Sequence, residues 1–183
     1  TVTITAPNAA ETNGATHVYW QTGARRRSAA RANATLASPR FAALELLAQL
    51  LEPVAYATLR TREQLGYIVS AGASDVDGAV GLYVVVQSAT TPPHEVRARI
   101  DALLEAFGAQ LGATSRATFE SERASLVAAK REAARRLGQQ AARYWAEVAR
   151  AEYAFARAAE EADALERATL DDVRALFDER VRP

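Results

Sequence analysis

Alternating hydrophobic and polar positions predict two strands near the amino terminus. Residues 1–5 alternate and are rich in β-branched side chains, and residues 15–22 place His17 on one face and Val18 and Trp20 on the other. A run containing Pro, Asn and Gly separates the two stretches, which is typical of a turn. The pattern therefore predicts an antiparallel pair of strands.

The next periodic stretch predicts a helix. Ser38 is placed to cap it, and Pro39 follows at the first helical position, where its missing N–H would have no helical partner. Apolar side chains recur at helical spacing at Phe41, Leu44, Ala48 and Leu51. We expect Pro53 to kink or end this helix, which can then resume until Gly66 stops it.

A hairpin and a series of helices follow. Residues 67–72 and 79–89 are apolar, strand-like segments, and Asp77-Gly78 between them is a strong turn signal. The second half is almost wholly helical, with a long charged helix predicted from the Ser115 cap to about residue 137. A further helix covers residues 139–153, and a capping box at residues 169–172 precedes the last one.

Strands that come first and helices that follow as a group are typical of an α+β fold. We predict a single domain, residues 1–183, in which helices cover one face of an antiparallel sheet of about four or five strands. The 183 residues are enough to bury a sizeable core. The sequence contains no internal repeat and no linker that would divide the chain.

Composition excludes several classes of protein. Lys plus Arg and Asp plus Glu both number 22, whereas nucleic-acid-binding domains usually carry a basic excess. Cysteine is absent, which excludes disulfides and thiolate metal sites. The sequence shows neither an apolar run of about 18 residues nor a signal peptide, and we favour the cytoplasm without fixing the compartment. Methionine is also absent, even at position 1, so we expect a processed chain or a segment of a longer one.

The two histidines do not form a zinc motif. His94-Glu95 resembles the start of a His-Glu-x-x-His helix, but Ala98 stands where the second histidine is needed, and His17 is distant in sequence. A catalytic zinc needs about three protein ligands and a water. We therefore expect no metal site in this chain, with His94 beside a helix start and His17 at a surface or an interface.

Two pairs of residues in the second half allow a structural and a functional interpretation. Tyr144-Trp145 lie in a predicted helix, and we expect them to be core aromatics. Arg135-Arg136 can complement a helix dipole, or they can contact an anion or a partner.

The segment LRTREQLGY carries more chemistry than a helix-to-strand boundary requires. Leu59 and Leu65 can pack and Gly66 can turn the chain, which accounts for part of the motif. Arg60 and Tyr67, however, are two long hydrogen-bond donors at the same corner. Two such donors side by side can stabilise a developing oxyanion in acyl transfer.

Four segments together resemble the insulin-degrading-enzyme branch of the inverzincin metallopeptidases, the insulinase/pitrilysin family. They occur in the family's order and cover essentially the whole chain: NGATHVYWQTG, FAALELLAQLLEPVAYATLRTREQLGYIV, GLYVVVQSATTPPHEVRARIDALL and RRLGQQAARYWAEV. The family's enzymes consist of four similar α+β domains that enclose a chamber. The resemblance implies the last of these domains, with a mitochondrial-processing-peptidase-like metallohydrolase fold and the final strand missing.

The resemblance also implies roles for three side chains. The family's last domain sends an arginine and a tyrosine across the chamber to the substrate, and these correspond to Arg60 and Tyr67. Arg60 would bind a substrate carbonyl, and Tyr67 would donate to the oxyanion. Tyr56 corresponds to an aromatic residue that lines the pocket beyond the scissile bond.

The family's zinc motif is absent from this sequence, so the resemblance implies no cofactor in this chain and a zinc ion in a partner catalytic domain. The implied partners are the N-terminal catalytic domains of the same enzyme, in the same polypeptide or in a separate chain, and peptide substrates. We also expect self-association through an unpaired sheet edge, but no nucleic acid and no membrane. The implied function is part of a zinc metalloendopeptidase that is inactive as the isolated chain, and the alternative is a non-catalytic scaffold or partner subunit of the same fold.

Overall fold

The computed structural model describes residues 2–4, 8, 10–24, 38–76 and 78–182. Within these residues the chain forms strands, helices and one π-helical segment. In chain order they are β1 (Gly14–Ala24), α1 (Pro39–Ala55), a π-helix (Tyr56–Arg62), β2 (Ile68–Val76), β3 (Ala79–Ser88), α2 (Pro93–Ala113), α3 (Arg116–Arg131), α4 (Leu137–Ala149), α5 (Arg157–Arg167) and α6 (Leu170–Arg180). The predicted α+β class is confirmed.

The described residues form an antiparallel sheet of three strands in the order β1-β3-β2. The predicted count of four or five strands is therefore not confirmed in this part of the chain. Residues 2–4, expected to be in a strand, are outside the sheet, and β1 pairs with β3 instead, with Val18 opposite Val84. The central position suits β3 because its apolar residues gain a hydrogen-bonded neighbour on both sides.

The hairpin between β2 and β3 lies where the sequence predicts it. Val76 pairs with Ala79, and Gly78 has a φ of 85°, a left-handed conformation that glycine adopts without steric cost. The N–H of Gly78 donates to Oδ1 of Asp75 at 3.2 Å. Asp77 lies outside the described residues.

The core lies between α1 and one face of the sheet. Leu44, Leu47 and Leu51 of α1 are fully buried, and they face a layer that includes Leu82 and Val84 of β3. Helices α2 and α6 extend the same core, where Phe107 meets Phe177 edge to face with 5.6 Å between ring centroids. The helices therefore cover the inner face of the sheet.

The segment Pro39–Arg62 is long and apolar enough to meet a length-and-composition test for a membrane span. Within its apolar 18-residue window, 56% is buried inside this fold, and its leucines make up the centre of the core. Its apolar character is therefore accounted for by packing against the sheet. The sequence alone did not indicate this apolar stretch as a candidate span.

Several predicted helix boundaries are confirmed and others are wrong. Ser115 caps α3 by accepting from the N–H of Thr118 at 3.1 Å, and Thr169 forms the predicted capping box at the start of α6. The helix does not end at Pro53, because it runs to Ala55 and continues as the π-helix. The long charged helix ends at Arg131, where the next residue is extended, and α4 starts afresh.

Candidate functional site

The corner between α1 and β2 begins with the π-helical turn. The N–H of Glu63 donates to the carbonyl of Thr58 at 2.9 Å, a spacing of five residues, and the N–H of Leu65 donates to that of Leu59 at 3.0 Å. The wider turn begins three residues after Pro53, which has no N–H to donate. Leu59 stays fully buried in this turn, while Arg60 on the next position is only half-buried. Single π-helical turns inside helices frequently occur at functional sites.

Close backbone packing holds the end of this corner. A Cβ atom on Gly66 would lie 1.7 Å from the carbonyl oxygen of Gln87 on β3, so only glycine fits there. Gln64, two residues earlier, has a φ of 52°, in the left-handed region that non-glycine residues rarely adopt. The path of the chain into β2 is therefore set by contact with the neighbouring strand.

An ion pair connects the same corner to α2. Nε of Arg99 donates to Oε2 of Glu63 at 2.7 Å, and this hydrogen bond raises the pKa of Arg99 above its ordinary value. The carboxyl of Glu63 is mostly buried, whereas half of the Arg99 side chain is exposed. The pair connects the π-helical corner to an element more than 30 residues away in sequence.

Arg60 and Tyr67 lie next to each other at this corner. Nε of Arg60 donates to the backbone carbonyl of Tyr67 at 3.0 Å. The guanidinium carbon of Arg60 also lies 5.3 Å from the centroid of the Tyr67 ring, within the range of a cation–π contact. The side chain of Tyr67 is 84% exposed. The two side chains therefore restrain each other while the tyrosine stays open to solvent.

Tyr56 is half-exposed at the first position of the π-helix and lines a groove of about 490 Å³ beside β2. The groove combines an aromatic ring with two carboxylates and the backbone of an outer strand. Its walls are Gln49, Glu52, Pro53, Tyr56, Val69, Ser70, Ala71 and Glu122. Arg60 and Tyr67 are not among these residues, so the structure brings those two together and leaves Tyr56 in an adjacent groove.

The histidines lie apart from this corner. His17 packs edge to face against Tyr19 and Tyr83 on the outer face of the sheet, and His94 is exposed at the start of α2 beside Glu95. In the described ranges there is no group of three or more His, Asp and Glu side chains that could hold a metal ion.

The structure also shows features that sequence reasoning missed. Tyr144 and Trp145 are not core residues, because both are exposed on α4, with Trp145 at 69%. The only buried residue of α4 is Glu147, which binds Arg157 at the start of α5. The sequence contains one feature that could have indicated this arrangement. Glu147 is the only acidic residue in α4, and its neighbours are alanine and valine.

The fold is a small antiparallel sheet with helices packed on one face, and the corner at residues 59–67 leads from the first helix into β2. Residues 46–145 match the family model described as PQQ synthase PqqF-like, C-terminal lobe domain 4. The match includes Tyr56, Arg60 and Tyr67, and it covers more than half of the chain. The chain belongs to this family, the C-terminal domains of insulinase-like proteases, and the resemblance stated from the sequence is confirmed.

Individual relatives agree with this assignment. The chain is 31% identical to human insulin-degrading enzyme over 136 residues, which are 74% of this chain and 13% of that protein. Its fold is similar to pitrilysin with a TM-score of 0.74 at 22% identity, over 94% of this chain and 17% of that one. A peptidase domain from Bordetella parapertussis, described as inactive, matches with a TM-score of 0.62 at 18% identity, over 97% and 90% of the two chains. The chain thus spans about one eighth of the curated relatives that it matches.

Proposed function

We propose that residues 1–183 form one domain of a zinc metalloendopeptidase, the C-terminal domain that does not bind the zinc ion. Zinc and its activated water lie in a separate catalytic domain, in the same polypeptide or in a separate chain. The present domain forms part of the chamber wall that encloses the peptide. This proposal is supported by the family match over residues 46–145, by relatives that are zinc proteases, and by the geometry of the Arg60–Tyr67 corner.

The single observation that carries the proposal is the paired, solvent-facing arrangement of Arg60 and Tyr67. Nε of Arg60 is engaged by the carbonyl of Tyr67, which leaves the terminal guanidinium nitrogens to bind a substrate carbonyl. The Tyr67 hydroxyl donates to the oxyanion of the tetrahedral intermediate, and the adjacent guanidinium adds positive charge there. Because the corner is held by Gly66 and Glu63, both donors are positioned before the substrate arrives.

The groove lined by Tyr56 binds a substrate side chain next to the scissile bond. It lies beside β2, the outer strand that Tyr67 directly precedes, so a peptide in contact with Tyr67 can reach it. Self-association through the outer edges of β1 and β2 stays a prediction, and light scattering at increasing protein concentration measures it.

Replacing the Tyr67 hydroxyl tests the catalytic role. In the complete protease, Tyr67→Phe should lower kcat about 10²–10³-fold with a smaller change in KM, because an oxyanion contact is made in the transition state and not in bound substrate. Arg60→Ala should affect both parameters, since a carbonyl contact already exists in the bound substrate. Steady-state kinetics with a fluorogenic peptide, together with melting curves, measure these effects.

Tyr19→Phe is the matched control, because Tyr19 is a partly exposed tyrosine on β1, outside both the corner and the groove lined by Tyr56. It should leave both kinetic parameters unchanged. An unchanged kcat in a well-folded Tyr67→Phe enzyme would remove the catalytic role and leave LRTREQLGY as a structural corner.

The second candidate function is a non-catalytic scaffold or partner subunit of the same fold. The observation that favours it is the similarity to a peptidase domain described as inactive, which covers 97% of this chain. In that case the complete protein has no peptidase activity for Tyr67→Phe to reduce. Peptide hydrolysis by the wild-type protein, abolished by a chelator and restored by zinc, separates the two functions.

A further inference from the structure

An ion pair with helix α2 lies in the middle of the corner at residues 59–67. Nε of Arg99 donates to Oε2 of Glu63 at 2.7 Å, and 15% of the Glu63 side chain is exposed. Glu63 ends the π-helix, and its N–H donates to the carbonyl of Thr58 at 2.9 Å. Gln64 then takes the left-handed φ of 52°. The ion pair therefore holds the chain at the residue where helical backbone changes into the turn.

Arg99 extends from a part of α2 that is fixed in the core. Val96 is 1% exposed and Ile100 is fully buried, and both belong to the core that α2 shares with α1 and the sheet. Close-packed side chains on both sides of position 99 leave the backbone there little freedom to move. Arg99 therefore connects the corner to a rigid element.

The ion pair lies between the two residues to which the proposed function assigns contacts with substrate. Arg60 precedes Glu63 by three positions, and Tyr67 follows it by four. Nε of Arg60 donates to the carbonyl of Tyr67 at 3.0 Å, so both ends of this hydrogen bond depend on the chain that Glu63 holds. The side chain of Tyr67 is 84% exposed, so burial does not orient it. Its direction depends on the backbone that leads to it.

We propose that Arg99 is a positioning residue for the Arg60–Tyr67 pair and acts through Glu63. The ion pair keeps the end of the π-helix at a fixed distance from α2, and the two donors then meet the same substrate carbonyl. A displacement of about 1 Å can cost a preorganised site much of its catalytic effect, because the donors no longer meet the developing oxyanion. Arg99 itself contacts no reacting atom. This inference rests on the proposed function and concerns the same site.

Kinetics of the complete protease test this role. With a fluorogenic peptide, Arg99→Ala should lower kcat about tenfold and raise KM by no more than about twofold, because a misplaced oxyanion donor weakens binding of the transition state more than binding of the substrate. The assay is run at a temperature at which melting curves show both proteins to be folded. Arg99→Lys keeps the charge and a donor for Glu63, so it should recover most of the lost kcat.

Arg97→Ala is the matched control. Arg97 lies on the same helix with a similarly exposed side chain, 48% against 53% for Arg99, and its ion pair is with Asp101 of α2 itself. The substitution removes the same charge and should leave kcat and KM unchanged. An equal loss of kcat in Arg97→Ala would assign the effect to charge or to the stability of α2, and would overturn the proposal.

A double-mutant cycle shows whether Arg99 acts through Glu63. If it does, Glu63→Gln should lower kcat about as much as Arg99→Ala, and the double variant should lose no more than either single variant. Losses that multiply would mean that Arg99 acts by another route, and the proposal would be wrong. Glu63→Gln removes one charge of the pair without shortening the side chain, so it tests the same role if Arg99→Ala does not fold.

The kinetics of Tyr67→Phe separate this inference from the proposed function. A large loss of kcat in Tyr67→Phe together with an unchanged kcat in Arg99→Ala would overturn the positioning role alone. An unchanged kcat in both variants would overturn the catalytic role of Tyr67 and the positioning role with it. Losses in both variants, with recovery in Arg99→Lys, would support the two proposals together.

Discussion

The corner at residues 59–67 and helix α4 both expose aromatic rings, but they are held in different ways. At the corner, Gly66 contacts the backbone of Gln87, and Glu63 is paired with Arg99 at 2.7 Å. In the helix that bears Trp145, Glu147 is the only buried residue, and Arg143 adds a hydrogen bond to the carbonyl of Glu132 at 3.1 Å. Tyr67 is therefore an exposed ring on a tightly packed corner, whereas the exposed rings of α4 belong to a helix with a single buried residue.

The comparison shows that exposure alone does not identify a functional site. Tyr67 and Trp145 are both mostly exposed, at 84% and 69%. They differ in what holds the chain behind them. Behind Tyr67 the backbone of Gly66 packs closely against Gln87, whereas behind Trp145 a buried ion pair joins Glu147 to Arg157. If this distinction is correct, substitutions behind the corner should destabilise the whole domain, and those behind α4 should mainly release the helix.

The largest effect on stability is expected at the corner. Gly66→Ala should lower the free energy of unfolding by about 3 kcal/mol, because the added Cβ overlaps the backbone of Gln87 and one strand must move. Gly112→Ala is the control, since nothing lies within 4 Å of its added Cβ and alanine stabilises a helix by about 0.5 kcal/mol. Urea unfolding of both variants measures the difference. Equal stability of the two proteins would show that the corner is not tightly packed.

A smaller and more local effect is expected behind α4. Arg157→Ala leaves the buried carboxylate of Glu147 without its partner and should cost about 2 kcal/mol. Amide hydrogen exchange should accelerate in α4 and remain unchanged at the corner. Arg116→Ala removes an exposed ion pair with Glu120 and should have no measurable effect. Faster exchange at the corner in Arg157→Ala would contradict the separation of the two regions.

The same ion pair predicts a dependence of stability on pH. Burial opposes the charge of Glu147, but hydrogen bonds from Arg157 outweigh it and hold its pKa below the ordinary value. A carboxyl with a lowered pKa in the folded state binds protons more readily when unfolded, so its stabilisation is present above the unfolded pKa near 4.5 and is lost as pH falls below it. Melting curves between pH 7 and 3 should therefore decline less steeply for Glu147→Gln than for wild type. Parallel curves would indicate that protonation of Glu147 is not coupled to unfolding.

The smallest effect is expected at the exposed rings of α4 themselves. In the 183-residue chain alone, Trp145→Ser should change the free energy of unfolding by less than about 0.5 kcal/mol, because the ring has few contacts within the domain. Urea unfolding measures it beside Trp20→Ser, where a half-buried ring that packs against the core is removed and a larger loss is expected. A loss at Trp145 as large as that at Trp20 would show that α4 is part of the core after all.

Local patterns in the sequence determined much of this protein by themselves. The spacing of Leu44, Leu47 and Leu51 predicted the core helix, and the capping groups Ser115 and Thr169 predicted two helix starts. The motif LRTREQLGY predicted both the helix-to-strand corner and the family. These features depend on residues a few positions apart, for which periodicity, caps and turns are direct physical signals.

Tertiary structure decided the features that depend on distant residues. The partner of β1 is β3 and not the amino-terminal residues, and the ion pair between Glu63 and Arg99 joins elements 36 positions apart. The outward direction of Trp145 is likewise a tertiary feature. The ion pair with Arg157 holds the Glu147 side of α4 against the domain, and Trp145 is exposed on the same helix. Helical periodicity predicts which side chains share a face, but only the packing of the whole chain determines which face is buried.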